Sequence, residues 1–440
     1  MSIKAYPEYA DLVDTGCSSV GQIPRDWRIA RIRHAAHISP SRRLDGNTGR
    51  NDPVVFLPME AVGNNGQIEQ SDIRYAKEVS EGFTYFQKGD VIMAKITPCF
   101  ENGKAAYLDG LATAYGFGTT ELHVLRPKHG VGKFLYYFLH RQSFRSYSAV
   151  FMVGSAGQKR VSTDFLKDQV IPLPPVTQQR AIAAFLDEKC AQIDEAVRIK
   201  EEQIKLLRER RQILIQQAVT RGLNPSAPMK DSGIDWIGQI PAHWEVRRGK
   251  HLFREVNERS EEGKEELLSV SHTTGVTARS EKNVNMFMAE DYTGSKLCQP
   301  GDVVINTMWA WMGALGVSGM SGIVSPSYGV YQPLCEDTFN PYFLEWLLRT
   351  TPFIEQYNKI STGLHSSRLR LYPHMFLGLP MAFPNRDEQD VIVKSVNKEA
   401  GKVDKAISIK RDQITALKEY KTTLINAAVT GKIKITEDML

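Results

Sequence analysis

The chain repeats itself, and this constrains its fold more than any other feature. Ile23-Pro24-Arg25-Asp26-Trp27 returns 217 residues later as Ile240-Pro241-Ala242-His243-Trp244. Gln87-Lys88-Gly89-Asp90-Val91-Ile92 returns as Gln299-Pro300-Gly301-Asp302-Val303-Val304, an offset of 212, and Phe134-Leu135 as Phe343-Leu344, an offset of 209. Arg160 and Pro172, twelve residues apart, match Arg368 and Pro380. Residues 179–221 align with 389–431 without a gap and give 15 identities, closing on Ala218-Val219-Thr220 and Ala428-Val429-Thr430. Ordered matches at such a narrow range of offsets mark a duplication.

Each half opens with mixed structure. Short β-type runs such as Val54–Leu57, 90–93 and Val303–Ile305 lie between Gly, Pro and Asn turn signals, and a helix follows near 133–148 and 341–359. Each half then closes on a long helix with a heptad seam. The seam runs through Leu186, Ile193, Val197, Ile204, Leu207 and Leu214 in the first copy. In the second it runs through Val396, Val403, Ile407, Ile414, Leu417 and Leu424. Lys200 with Lys410, and Arg211 with Lys421, interrupt both seams at matching places. A helix of this length measures roughly 65 Å at about 1.5 Å per residue, and the Gly/Pro/Ser-rich connection after it is too short to retrace it. The expected architecture is therefore α+β: two similar domains separated by two long antiparallel helices in a coiled coil, related by a pseudo-two-fold. The boundaries are domain 1 at 1–175, a central helix at 176–222, a linker at 223–238, domain 2 at 239–383, a C-terminal helix at 384–431 and a tail at 432–440.

With 440 residues, 42% hydrophobic and 24% charged, the chain has apolar mass for two to three cores. No apolar run reaches the roughly 20 residues of a membrane span, and the first residues lack a hydrophobic signal region. A cytoplasmic protein without membrane contact is expected. Five scattered cysteines support neither a disulfide framework nor a zinc site. The net charge of +5 is mild, but its placement is not. Residues 122–163 contain no Asp or Glu while holding Arg126, Lys128, Lys133, Arg141, Arg145, Lys159 and Arg160; residues 356–386 are likewise acid-free.

Motifs for catalysis are missing: no phosphate-binding glycine loop, no dinucleotide fingerprint, no zinc-protease helix and no nucleophile elbow. Asn340-Pro341-Tyr342-Phe343 faintly resembles an adenine-methyltransferase loop, but it precedes a helix and reads as an N-cap with Pro at the first helical position. Asp90 with Lys95 is a poor nuclease pattern, because Asp302 in the second copy has no matching lysine.

Binding features are better supported. After a strand in the first half comes a segment with Lys95, Thr97, Asn102 and Lys104. Its counterpart in the second half holds Asn306, Trp309 and Trp311. These donors and aromatic rings suit phosphates and base edges, and the copies differ where a ligand would be touched. The ring residues serve equally well as core. Inside the acid-free windows lie Ser155, Gln158, Lys159 and Arg160 in one copy and His365, Ser366, Ser367, Arg368 and Arg370 in the other. Small residues interleaved with such donors allow close approach to a phosphate backbone, and the resulting binding is salt-dependent.

Two variable domains, each followed by a long helix ending in Ala-Val-Thr, resemble the specificity (S) subunit of type I restriction-modification enzymes. The resemblance covers essentially the whole chain and is carried by 231–244, by the strand-end segment 95–104 and by both helix ends. It implies target recognition domains that each read one half of an asymmetric, split double-stranded DNA target. It also implies helices that act as spacer and docking surface for two modification (methyltransferase) subunits, alongside restriction (motor-nuclease) subunits. No cofactor is then bound by this chain: S-adenosylmethionine, ATP and Mg belong to the partner subunits, and no metal site or catalytic residue is expected here. Half-sites read from one face lie about 34–36 Å apart or a multiple of that, a span within reach of the expected rod. The alternatives are a non-catalytic scaffold pairing two protein-binding modules, or a stand-alone DNA methyltransferase or nuclease.

Overall fold

A computed structural model describes residues 6–17, 20–41, 49–155, 157–281, 291–363, 369–436 and 439. The chain forms two compact units: Met1–Glu201 with Arg411–Leu440, and Glu202–Lys410.

In the first unit a four-stranded antiparallel sheet has the order Ala36–Ile38, Leu122–Pro127, Val91–Ala94, Ala105–Tyr107. Val91-Ile92-Met93-Ala94 is buried at every position, as a central strand covered on both faces must be. Beside it lies a second four-stranded sheet in which Tyr115–Gly118 pairs parallel with Pro53–Leu57 and antiparallel with Thr84–Gln87. Helices Gly132–His140 and Gln142–Val150 follow, then the short helix Thr163–Asp168, capped by the Ser162 hydroxyl accepting from Phe165 N. Val170–Leu173 returns to pair with Arg28–Arg31.

The second unit repeats the first sheet strand for strand: Phe253–Val256, Gly329–Pro333, Val303–Ile305, Leu315–Val317. Pro380–Phe383 pairs with Glu245–Arg248 as its counterpart does. Its helices are Pro341–Leu348, Thr351–Ile360 and Pro373–Gly378. Asn340 does cap the first of these, its Oδ1 accepting from Tyr342 N and Phe343 N at 2.9 and 3.3 Å. Among the described residues the second four-stranded sheet has no equivalent here; two two-stranded ribbons, Leu268–Ser271 with Gly275–Ala278 and Lys296–Cys298 with Gly322–Val324, are found instead.

The long helices are Val176–Arg221 and Arg386–Val429. Within each unit they run antiparallel. In the first, Lys421 Nζ bonds both Asp194 oxygens at 2.7 Å and Lys200 Nζ donates to Gln413 Oε1 at 2.9 Å. In the second, Arg211 faces Asp404 at 3.4 Å. Three of the four polar interruptions of the heptads, Lys200, Arg211 and Lys421, are thus met by polar partners from the opposite helix, which helps fix register. All twelve apolar seam positions are buried or half-buried.

Matching polar clamps hold each domain to its helix. Gln179 Nε2 donates to Pro174 O and its Oε1 accepts from Val131 N; Gln389 does the same with Pro384 O and Asn340 N, all at 2.8–2.9 Å. The indole N–H of Trp27 donates to Gln178 and that of Trp244 to Glu388. The first core gathers Ile23, Trp27, Phe134 and Phe185 with Leu424, Ala428, Val429 and Ile433. The second gathers Ala218, Val219, Trp244, Phe343, Phe376 and Ile392.

Two expectations need correction. Residues 223–238 are not simply a linker, since Met229–Asp231 pairs with Gln239–Pro241 just as Leu12–Asp14 pairs with Gln22–Pro24. The tail is not free either: Ile433 is buried and Lys434 N donates to Pro7 O at 2.7 Å. Both stretches scatter a few apolar residues, such as Met229 and Ile234 or Ile433 and Ile435, among polar ones without a sustained period, too weak a pattern to mark an ordered segment.

Candidate nucleic-acid interface

In the first unit the chain leaves strand Val91–Ala94 into a tight loop. Phe100 N bonds Ile96 O, Asn102 N bonds Pro98 O and Lys104 N bonds Cys99 O, while the Phe100 ring sinks into the core. Gly103 has φ +78°, and a Cβ there would collide with the Arg145 guanidinium, which donates to Glu101 O at 2.8 Å. Lys104 Nζ is occupied by Met59 O at 2.7 Å. Lys104 therefore braces the loop, while Asn102 lies exposed at its tip.

The structure brings this loop together with the second predicted segment. Thr97 N donates to Lys159 O at 2.9 Å, Thr97 Oγ1 accepts from Lys159 N at 3.0 Å and donates to Gly157 O at 3.1 Å, and Val161 N donates to Lys95 O at 2.8 Å. Lys95, Thr97, Asn102, Ser155, Gln158, Lys159 and Arg160 thus belong to one two-loop surface, with Ser155, Gln158 and Lys159 exposed.

Its charge is smaller than the acid-free window suggested. Arg160 is held in a two-pronged pair by Glu121, at 3.0 and 2.8 Å, and that pairing keeps the Glu121 carboxyl below its usual range. Arg126 binds the buried Asp90 through two 2.8 Å bonds, and Lys133 meets Asp187 and Asp109. Lys95 and Lys159 form no ion pair among the described residues. Beneath them, His123 is buried, hydrogen-bonded through Nε2 to Val161 O at 2.9 Å, and its pKa is lowered to about 4 by desolvation.

The second unit builds the same frame with other side chains. Leu371 N donates to Thr307 O at 2.9 Å, repeating the Val161–Lys95 bond, and Thr362 exchanges two backbone bonds with Arg370 as Val153 does with Arg160. The structural partner of Arg160 is therefore Arg370, an offset of 210, rather than Arg368; the offset read from Pro172 and Pro380 was two residues short. His365, Ser366, Ser367 and Arg368 lie outside the described residues. Asn306 is buried, donating to Tyr328 Oη at 3.0 Å and accepting from Met308 N, so it braces the turn. Trp309 is 53% exposed; Trp311 is half-buried with its N–H on Met308 O. Asp302, the counterpart of Asp90, forms no arginine ion pair among the described residues, and desolvation raises its pKa.

Sequence reasoning missed an apolar tip beside the first loop pair: Val150, Phe151 and Val153 are exposed although the neighbouring Met152 is buried. Its signal was the apolar run 149–153 inside a basic window.

The profile described as "Type I restriction modification DNA specificity domain" matches residues 24–206. The chain is 37% identical over 164 residues to the EcoAI specificity subunit of Escherichia coli, covering 37% of this chain but only 27% of that protein. It is 24% identical over 433 residues to the MjaVIII specificity subunit of Methanocaldococcus jannaschii, covering 94% of each. Among solved structures, a chain from a study titled as the complex assembly and conformational transition of the type I R-M system aligns with TM-score 0.70 at 17% identity, covering 93% of this chain and 99% of that one. The HsdS subunit from Thermoanaerobacter tengcongensis aligns with TM-score 0.54 at 17% identity over 93% and 98%. Residues 24–206 thus match the type I restriction modification DNA specificity domain, and the chain is similar over most of its length to a type I specificity subunit. It shares its fold with those two solved chains: two mixed units, each built on part of a helical pair. The aligned segment spans about a quarter of the two Escherichia coli relatives, 27% of each. Among the described residues no helix is long and apolar enough to cross a membrane.

Proposed function

We propose that this chain is the DNA sequence-recognition subunit of a type I restriction-modification complex. Each unit reads one half of an asymmetric bipartite target through its two-loop surface. The observation that carries this reading is the repetition of one sheet and one pair of zipped loops with different side chains at the tips, Lys95 and Lys159 in one unit, Trp309 and Arg370 in the other. A shared frame with divergent tips suits two unlike half-sites.

The chain itself makes and breaks no bond; S-adenosylmethionine, ATP and Mg²⁺ act in partner subunits. The helical pair docks two modification subunits, and restriction subunits complete the complex in the cytoplasm. Support for docking comes from Leu206 and Ile213, one heptad apart and each 55% exposed in the second unit, an apolar line without cover.

Selection of bound fragments from random duplexes by the assembled complex, followed by sequencing, tests the reading. A split sequence with unlike halves is expected, and exchanging residues 1–175 for those of a relative should change one half alone. A palindromic target, or a target unchanged by the exchange, would overturn it.

A further inference from the structure

We propose that the exposed tip Val150, Phe151 and Val153 is a specificity element of the first unit that reads thymine C5-methyl groups in the major groove. The inference rests on the DNA-recognition reading above.

Val150 ends helix Gln142–Val150 at 79% exposure, and Val153 is 71% exposed. The tip is held firmly: Val153 N donates to Arg160 O at 3.0 Å and Arg160 N to Val153 O at 2.9 Å. Branched aliphatic groups fixed in water on a well-packed domain mark a contact surface. The surroundings favour a polyanion as the occupant. Lys159 lies one residue from the Val153 pairing partner and forms no ion pair among the described residues. Lys95 forms none either, and the acids nearest the tip are already balanced, Glu121 by Arg160 at 2.8 Å and Asp164 by Lys167 at 3.0 Å.

An apolar group beside phosphate-seeking cations meets one apolar feature on the major-groove edge of a duplex, the thymine methyl. Wedging between base steps is the other apolar use of such tips, and the geometry disfavours it. The Phe151 ring is already stacked on Phe165 at 5.1 Å and 25°, with Tyr147 also at 5.1 Å. The remaining side chains are valines, too short to enter a step. In the second unit the chain after helix Thr351–Ile360 carries the buried Ser361 and then Thr362 and Gly363, so among the described residues no such tip exists there. Methyl reading is therefore assigned to the first unit's half-site.

The test uses the complex assembled from the full chain, native or V150S/V153S, both positions being exposed. The native complex should bind its selected target roughly fourfold more weakly for each contacted thymine replaced by deoxyuridine, the value of about one buried methyl group, in one half-site only. The variant should bind thymine and deoxyuridine targets alike, with its salt dependence unchanged. If deoxyuridine is neutral throughout while the native complex still selects its target, the methyl proposal falls and DNA recognition stands. If the variant loses its modification subunits rather than its thymine preference, the tip is a protein contact and the proposal is overturned. If the native complex selects no sequence, both fall together.

Discussion

The two strand ends after Asp90 and Asp302 share a backbone and little else. In the first unit the acid is bound twice by Arg126, the loop is braced by Lys104 and Arg145, and Arg160 is neutralised by Glu121. In the second the acid forms no arginine ion pair among the described residues, Asn306 and Tyr328 brace the turn, and Trp309 is left in solvent. What stays constant is the clamp behind the loops: Trp27 and Trp244, Gln179 and Gln389. A recognition surface changes freely only when the residues that hold it are separate from the residues that touch the ligand, and here they are.

The strongest challenge to that separation is at the clamps. Trp27→Ala and Trp244→Ala should each destabilise their own unit by about 3–5 kcal/mol, seen by urea unfolding with hydrogen exchange resolved for each unit. Markedly unequal losses would mean the frames are not equivalent.

Acid should separate the units next. His123 is held neutral with its pKa near 4, below the 6.5 of an unfolded chain. The unfolded state therefore takes up the proton first, and stability fully present above pH 6.5 is lost as pH falls toward 4, by up to about 3 kcal/mol. His123 pairs with Met93, and the matching partner of Ile305 is Gly329, which does not titrate. Hydrogen exchange across this range should show the first unit loosening, and His123→Phe should reduce its response to the part left by His140, whose pKa desolvation lowers to about 3.

Asp90→Asn leaves the Arg126 guanidinium without its counter-charge and should cost about 2 kcal/mol. Asp302→Asn should stay within about 1 kcal/mol, and its standing against the native chain should improve as pH rises, because the raised native pKa makes the ionised Asp302 costly. Equal effects in thermal unfolding would contradict the contrast between the two strand ends.

The smallest expected difference lies in salt dependence. Arg370→Ala should lower the slope of log affinity against log salt by about 0.9 if it meets one phosphate. Arg160→Ala should change it far less, since Glu121 already balances that charge, and Glu121→Gln should raise affinity. A full loss of slope at Arg160 would show that the pair opens on binding.

The duplication, the order of elements and the helical seams were legible because they rest on periodicity and local patterning, which distant contacts do not alter. Charge was not. The window 122–163 contains no acid in sequence, yet Asp90, Asp109, Glu121 and Asp187 reach into it from other elements, leaving few unpaired cations. Lys104 and Asn306 carry the right chemistry for ligands but are turned inward, a fact fixed by tertiary hydrogen bonds. That the loops at 95–104 and 154–160 form one surface was likewise invisible, because the Thr97–Lys159 pairing joins residues 62 positions apart.

The first core is closed by Leu424, Ala428, Val429 and Ile433, and Lys434 reaches back to Pro7. Residues 1–201 therefore wait for 417–433 before their core can close, whereas 202–410 contains everything its own core needs. Synthesis completes the second unit first, against the usual N-to-C order. A nonsense codon between Lys410 and Leu424, far from any loop at 95–160 in sequence, would leave the first unit's core unsealed while sparing the second.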